Sequence, residues 1–187
     1  MNIGFALCGS FCTFSQVFPV LETLAQEYAI TPIVSQCVQS TDTRFGAAQT
    51  HLKRIESICG KAPVCSIAEA EPIGPKKLLD ALVIAPCTGN TLAKLAHSIA
   101  DGPVTMAAKS HLRNGRPILI AISTNDALAG AAENIGRLLN KRNYYFVPFR
   151  QDDPYQKPTS IVADFVKIPE ALSAALAGYQ IQPLLLR

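Results

Sequence analysis

Ala81-Leu82-Val83-Ile84-Ala85-Pro86 is an unbroken apolar run, followed at once by the polar turn Cys87-Thr88-Gly89-Asn90-Thr91. A strand that is apolar on both faces is the pattern of a central parallel strand covered on both sides. The turn offers N-cap chemistry, and Leu92, Leu95, Ala96 and Ile99 then recur on one side of a helix expected over 88–100. The same alternation extends in both directions. Upstream the reading is a strand at 3–8 ending in Gly9-Ser10, and a helix at 13–28 that Pro19 should kink or restart. A strand at 32–37 and a helix at 44–59, capped from Ser40-Thr41-Asp42-Thr43, precede a Pro- and Gly-rich loop at 70–75. Downstream come a helix at 104–112, a strand at 117–122, a helix at 127–140 and a strand at 144–147. Strands alternating with helices predict an open parallel sheet with helices on both faces, a Rossmann-like or flavodoxin-like three-layer sandwich. Residues 1–187 read as a single domain without linker, repeat or low-complexity segment.

Composition narrows the function. Hydrophobic residues make up 49% and charged residues 17%, against disorder, and the net charge of +3 comes without basic clusters, against a nucleic-acid surface. Met1-Asn2-Ile3-Gly4-Phe5 has no basic n-region, so no signal peptide is expected, and no apolar run reaches the roughly 20 residues of a membrane span. The six cysteines (8, 12, 37, 59, 65, 87) lack the spacing of a zinc ribbon or redox pair. His51, His97 and His111 stand apart, so no metal site is expected.

In an open α/β sheet, ligands bind outside the carboxyl ends of the strands, where the strand order reverses. The loops so placed are Gly9-Ser10-Phe11-Cys12-Thr13, Gln39-Ser40-Thr41-Asp42-Thr43, Pro86-Cys87-Thr88-Gly89-Asn90-Thr91, Ser123-Thr124-Asn125-Asp126 and Arg150-Gln151-Asp152-Asp153-Pro154. The first four share Gly, Ser, Thr and Asn at a helix start. One such loop is an ordinary cap; four on one edge point to a phosphate-bearing ligand held by helix N-termini. Neither G-x-G-x-x-G nor a Walker-type loop is present, and a flavin mononucleotide suits the pattern better than a dinucleotide or triphosphate. The candidate cofactor residues are Gly9, Ser10, Cys12, Ser40, Thr43, Pro86, Thr88, Gly89, Asn90, Thr91, Ser123 and Asn125. Cys87, beside the expected ring, stands where a helix dipole lowers a thiol pKa, although packing is its commoner role.

The segment from Pro86 to Lys94 resembles the Pro-Ala-Ser-Ala-Asn-Thr motif of flavin-containing cysteine decarboxylases and prenyl-flavin synthases. Gly9-Ser10 is similar to their first phosphate loop, and Asn125 to the Asn of their Pro-x-Met-Asn motif. The resemblance implies FMN as cofactor and a homo-oligomer, trimer or dodecamer. It also implies a catalytic His upstream of the motif proline and a Cys in a C-terminal flap. Here the first position falls in Glu71-Pro72-Ile73-Gly74, no Cys follows Cys87, and Thr124 replaces the motif Met. The decarboxylase acid/base groups are therefore missing.

A narrower resemblance covers almost the whole chain. Ser40-Thr41-Asp42-Thr43-Arg44-Phe45-Gly46, Arg113-Asn114-Gly115-Arg116-Pro117 and Pro148-Phe149-Arg150-Gln151-Asp152-Asp153-Pro154 are similar to the family of dipicolinate synthase B-type subunits. That likeness implies a cytoplasmic protein of the mother cell of a spore-former. It would act with the nicotinamide-dinucleotide-binding A-type subunit of dipicolinate synthase to oxidise dihydrodipicolinate to dipicolinate during sporulation. Arg44, Arg113 and Arg150 are the candidate partners for the substrate carboxylates. Two alternatives stay open: a flavin-dependent decarboxylase or prenyltransferase, and a non-catalytic assembly subunit that has lost its flavin.

Overall fold

The computed structural model describes residues 1–187. The elements in chain order are β1 (Asn2–Leu7), α1 (Phe14–Glu27), β2 (Ala29–Val34), α2 (Gln36–Ser40), α3 (Ala48–Cys59), α4 (Ile67–Ala70), β3 (Ala81–Cys87), α5 (Gly89–Ala96) and α6 (Pro103–Leu112). They continue with β4 (Ile118–Thr124), α7 (Ala132–Leu139), β5 (Tyr144–Phe146), β6 (Phe149–Asp153), β7 (Lys157–Ala163) and α8 (Ile168–Leu176). No helix is long and apolar enough to cross a membrane.

The seven-stranded sheet runs β2-β1-β3-β4, with β5 and β7 sharing the far edge of β4 and β6 outside β7. β1 to β5 are parallel, and the order reverses between β1 and β3, which puts the switch point there. All seven residues of β3 are buried, as a central strand covered by helices on both faces requires. Phe5, Leu82 and Phe146 are fully buried in one continuous core, where truncation of a large side chain costs about 2–5 kcal/mol.

Several expected boundaries shift. β2 ends at Val34 because Ser35 accepts a hydrogen bond from Val38 N (3.4 Å) and starts α2, so 35–37 is not strand. α3 begins at Ala48; Asp42 Oδ1 caps it by accepting from Ala48 N at 2.8 Å, and Thr43–Gly46 close a tight turn in between. α1 runs unbroken through Pro19, since Pro19 and Ser15 lie on the exposed face, where water can satisfy the freed Ser15 carbonyl. The expected loop at 70–75 holds the end of α4, started by a capping box between Ser66 and Glu69, and a 3₁₀ turn at Glu71–Ile73. α5 and α7 are shorter than 88–100 and 127–140.

The largest difference lies past Phe146. Instead of a loop, Phe149–Ala163 form the antiparallel hairpin β6–β7. β7 pairs only with the top of β4, Ser123 opposite Val162 and Thr124 opposite Ile161, whereas β5 pairs with its lower half. The hairpin therefore stands at the carboxyl end of the sheet, above the switch point.

Candidate switch-point site

Two cavities flank the ends of β1 and β3, and Gly9 and Thr88 line both. The first, of about 370 Å³, is bounded by Ser35, Asn90, Thr91 and Lys94 and by the start of α6, Gly102 to Thr105. The second, of about 600 Å³, carries Ser10, Phe11, Cys12, Thr43, Phe45, Ser123, Asn125, Arg150, Asp152 and Lys157 among its walls. Both sizes suit a small organic ligand.

Local chemistry explains the shape of the first cavity. A Cβ on Gly9 would lie 2.8 Å from Cys37 Sγ, so glycine lets the end of β1 pass close beside α2, and a larger residue would require the Cys37 side chain to move. Ser35 Oγ is used as the cap acceptor of α2, which leaves its proton free to donate. Thr88 Oγ1 accepts from Thr91 N (3.4 Å) in the same way at α5, and Thr91 Oγ1 donates to Cys8 Sγ (3.3 Å), tying the α5 start to the end of β1. Gly102 precedes Pro103 at the first position of α6, whose opening turn carries no acidic residue. Lys94 is the only cation of the first cavity, held by Asp101 at 2.9 Å.

In the second cavity Ser10 and Ser123 share a hydrogen bond of 2.7 Å, which joins the loop after β1 to the end of β4. The hairpin orders the next residue: Thr159 Oγ1 donates to Asn125 O (2.6 Å) and Ser160 Oγ to Asn125 Oδ1 (3.4 Å). Lys157 lies 2.7 Å from Asp152, whose carboxylate raises the pKa of the lysine. Phe11 packs on Phe14 and His51, so this wall rests on an aromatic cluster; burial holds the His51 pKa low.

The expected residues divide between these cavities. Gly9, Thr88, Asn90 and Thr91 line the first; Gly9, Ser10, Cys12, Thr43, Thr88, Ser123 and Asn125 line the second. Ser40, Pro86 and Gly89 line neither. Ser40 closes α2 and donates back to Gln36 O (3.0 Å), away from the sheet end, and Ser35 takes the position foreseen for it. Pro86 is buried within β3. Gly89 backs onto Asp126: a Cβ there would stand 2.7 Å from Asp126 Oδ1, the atom that accepts from Thr124 Oγ1 at 2.6 Å. A carboxylate of the chain thus already occupies one side of the α5 N-terminus.

Among the arginines, only Arg150 enters the site. Arg44 is exposed, its guanidinium 4.9 Å from the centre of the Phe45 ring, and Arg113 lines a third cavity away from the sheet end. The expectation of a low Cys87 pKa is also reversed. The thiol is fully buried, and burial, with Cys8 nearby, pushes its pKa well up, as burial pushes Cys8 up to about 11. Ser35, Lys94, Gly102 to Thr105 and Lys157 were not foreseen. A serine after an apolar strand and a Gly-Pro before an apolar helix are readable start signals; the position of Lys157 depends on the hairpin.

Residues 1–166 match the model of the Flavoprotein family. The chain is 48% identical over 185 residues to the dipicolinate synthase B-type subunit of Bacillus subtilis (strain 168), covering 98% of this chain and 92% of that protein. The crystal structure of the dipicolinate synthase B-type subunit from Bacillus halodurans C superposes with a TM-score of 0.91 at 46% identity, over 100% of this chain and 96% of the other. The FMN-dependent cysteine decarboxylase SpaF gives a TM-score of 0.66 at 25% identity, over 95% of each chain. With a flavodoxin-like sheet, a cleft at its switch point and these matches along nearly its full length, the chain belongs to the flavoprotein family.

Proposed function

We propose that this chain is the flavin-binding B-type subunit of a dipicolinate synthase. Together with the nicotinamide-dinucleotide-binding A-type subunit it would oxidise dihydrodipicolinate to dipicolinate during sporulation, in the cytoplasm of the mother cell. Residues 1–187 would act as one flavin-binding unit within a homo-oligomer, trimer or dodecamer. The observation that carries the reading is the pair of cavities meeting at Gly9 and Thr88, in a chain 48% identical to a protein of that name.

The residues fit FMN. The first cavity has a close glycine approach, a free Ser35 proton and the start of α6, whose first turn holds no acid, which together suit a phosphate; Lys94 there is paired with Asp101, which also lines the cavity. The second would take the ring and the substrate beside it, with Ser10, Ser123 and Asn125 as polar contacts on the flavin. FMN, when bound, supplies a two-electron acceptor.

The chain's own part is then to bind and orient. Arg150 and Lys157 are the cations of the second cavity, suited to the two carboxylates of the substrate, so that its ring lies in one plane against the apolar wall of Phe11 and Phe45. No histidine lines either cavity, and both buried thiols stay protonated. Aromatisation by loss of a hydride and a proton is strongly downhill, so positioning suffices without a strong base.

The test is a visible spectrum of the purified chain after incubation with FMN and gel filtration, followed by an assay of the A-type partner with and without it. A flavin spectrum retained by the chain, and a rate that rises when the two proteins are combined, support the proposal. Full rate from the A-type partner alone would remove the catalytic role.

A further inference from the structure

The third cavity lies off the switch point, between the end of α5 and α6, with Tyr144 at the start of β5 in its wall; its volume is about 340 Å³. Leu95, Ile99 and Leu112 make it apolar, and no acidic residue lines it. Lys109 and Arg113 stand one helical turn apart on α6, a spacing that puts both side chains on one face. Both are exposed, and neither takes part in any of the chain's ion pairs.

Tyr144 adds a polar group to the cavity wall. The residue is 9% exposed and contributes to the cavity wall; its hydroxyl makes no hydrogen bond within the chain and is not among the buried atoms left without a partner, so it opens to solvent there. A tyrosine hydroxyl at the end of an apolar body is free to donate to whatever enters the cavity. Burial pushes this phenol up to about 12, so the hydroxyl remains a donor at neutral pH. An apolar slot, two unpaired cations on one edge and an unused donor in the wall describe the complement of a planar ring bearing carboxylates.

From this arrangement we infer that the α5–α6 cavity is a second ligand site, for an aromatic dicarboxylate. The ring packs against Leu95, Ile99 and Leu112, the carboxylates meet Lys109 and Arg113, and Tyr144 donates to one of them. Thr105 lines this cavity and the first switch-point cavity alike, so an occupant would sit beside the proposed phosphate position. The ligand class rests on the cavity; only the choice of pyridine-2,6-dicarboxylate as probe rests on the function proposed above.

Calorimetric titration of the whole chain tests the site, run in an Arg150→Gln, Lys157→Gln background so that both cations of the second switch-point cavity are removed. Pyridine-2,6-dicarboxylate is expected to bind saturably, about tenfold or more tightly than benzoate and inorganic phosphate, as one additional charge-assisted hydrogen bond implies. Adding Lys109→Gln and Arg113→Gln should remove this binding, and Tyr144→Phe, which keeps the ring, should weaken it severalfold. FMN uptake should be unchanged in these variants, which also shows that they fold. Absence of binding, equal binding of phosphate, equal binding by the Lys109/Arg113 variant, or a cavity covered by a second copy of the chain would each overturn the inference. Failure of FMN uptake in the parent would instead remove the flavin reading and leave this site standing.

Discussion

His111 is fully buried, with Nε2 3.0 Å from Pro117 O and no partner at Nδ1. A carbonyl can only accept, so Nε2 carries the proton and donates, and protonating Nδ1 would strand a second donor without an acceptor. Burial accordingly lowers the His111 pKa from the ordinary 6.5 and, aided by the charge of Arg116, outweighs the Pro117 bond and the charge of Asp80. A pKa depressed on folding means that the unfolded chain binds more protons just below pH 6.5. Stability is then fully present above that value and declines as pH falls from it toward the folded-state pKa. His51, whose pKa is also lowered by burial, acts in the same direction. The urea midpoint should therefore fall between pH 7.5 and pH 5.5, and His111→Gln, which retains a donor for Pro117, should flatten that decline. Equal parent midpoints at the two pH values would show that neither imidazole resists protonation. Little of this was readable beforehand, because burial of His111 is set by the packing of α6 on the sheet. Cys87 shows the same limit: its place before a helix was legible in the sequence, but that the thiol faces the core was not.

At the level of elements, β6–β7 decides which loop residues meet. Its residues were legible as a distinct polar segment, but not as strands. β6 is exposed along most of its length and β7 opens with Lys157-Pro158, so no apolar alternation marks them. The parallel core was legible for the opposite reason: continuous apolar runs such as Ile118 to Ile122 have few other uses in a chain of this composition. The hairpin's grip on the site is the pair of bonds from Thr159 and Ser160 to Asn125, reinforced by Leu128 N donating to Thr159 O at 2.9 Å. Thr159→Val keeps the shape and removes the 2.6 Å bond, so it should cost about 1 kcal/mol in urea denaturation. It should also weaken FMN binding severalfold as the loop after β4 loosens. Tyr155→Ala, at the 96% exposed tip, should change neither quantity. If Thr159→Val binds FMN as the parent does, the hairpin does not order the site.

Across the whole molecule, the proposed ligand and the fold are linked through the segments that meet at the ends of β1, β3 and β4. Ser10 meets Ser123 across the ends of β1 and β4, and Thr91 meets Cys8 across β1 and β3, so a ligand seated between them touches segments far apart in sequence. That the segments after β1, β3 and β4 meet at this edge was legible in the sequence from the strand–helix alternation; that Ser40 stays out of it, and that the edge divides into two cavities, was not, since both depend on how α2 packs beside Gly9. A ligand that binds only the folded chain stabilises it by mass action, about 2.7 kcal/mol at a hundredfold excess over Kd. For a chain of this length that corresponds to a rise in Tm of roughly 5–10 °C. FMN at that excess should therefore raise the melting temperature of the parent by this amount, and inorganic phosphate, which fills only the anion position, by less. Ser10→Asp puts a carboxylate into the second cavity, against the proposed seat of the flavin and one residue from Gly9, which lines both cavities, and removes the bond to Ser123. Without ligand its Tm should stay within a few degrees of the parent, because Ser10 is a half-buried loop residue outside the core. With FMN it should gain almost nothing. An equal gain in the two proteins would place the flavin elsewhere and detach the proposed function from this edge of the sheet.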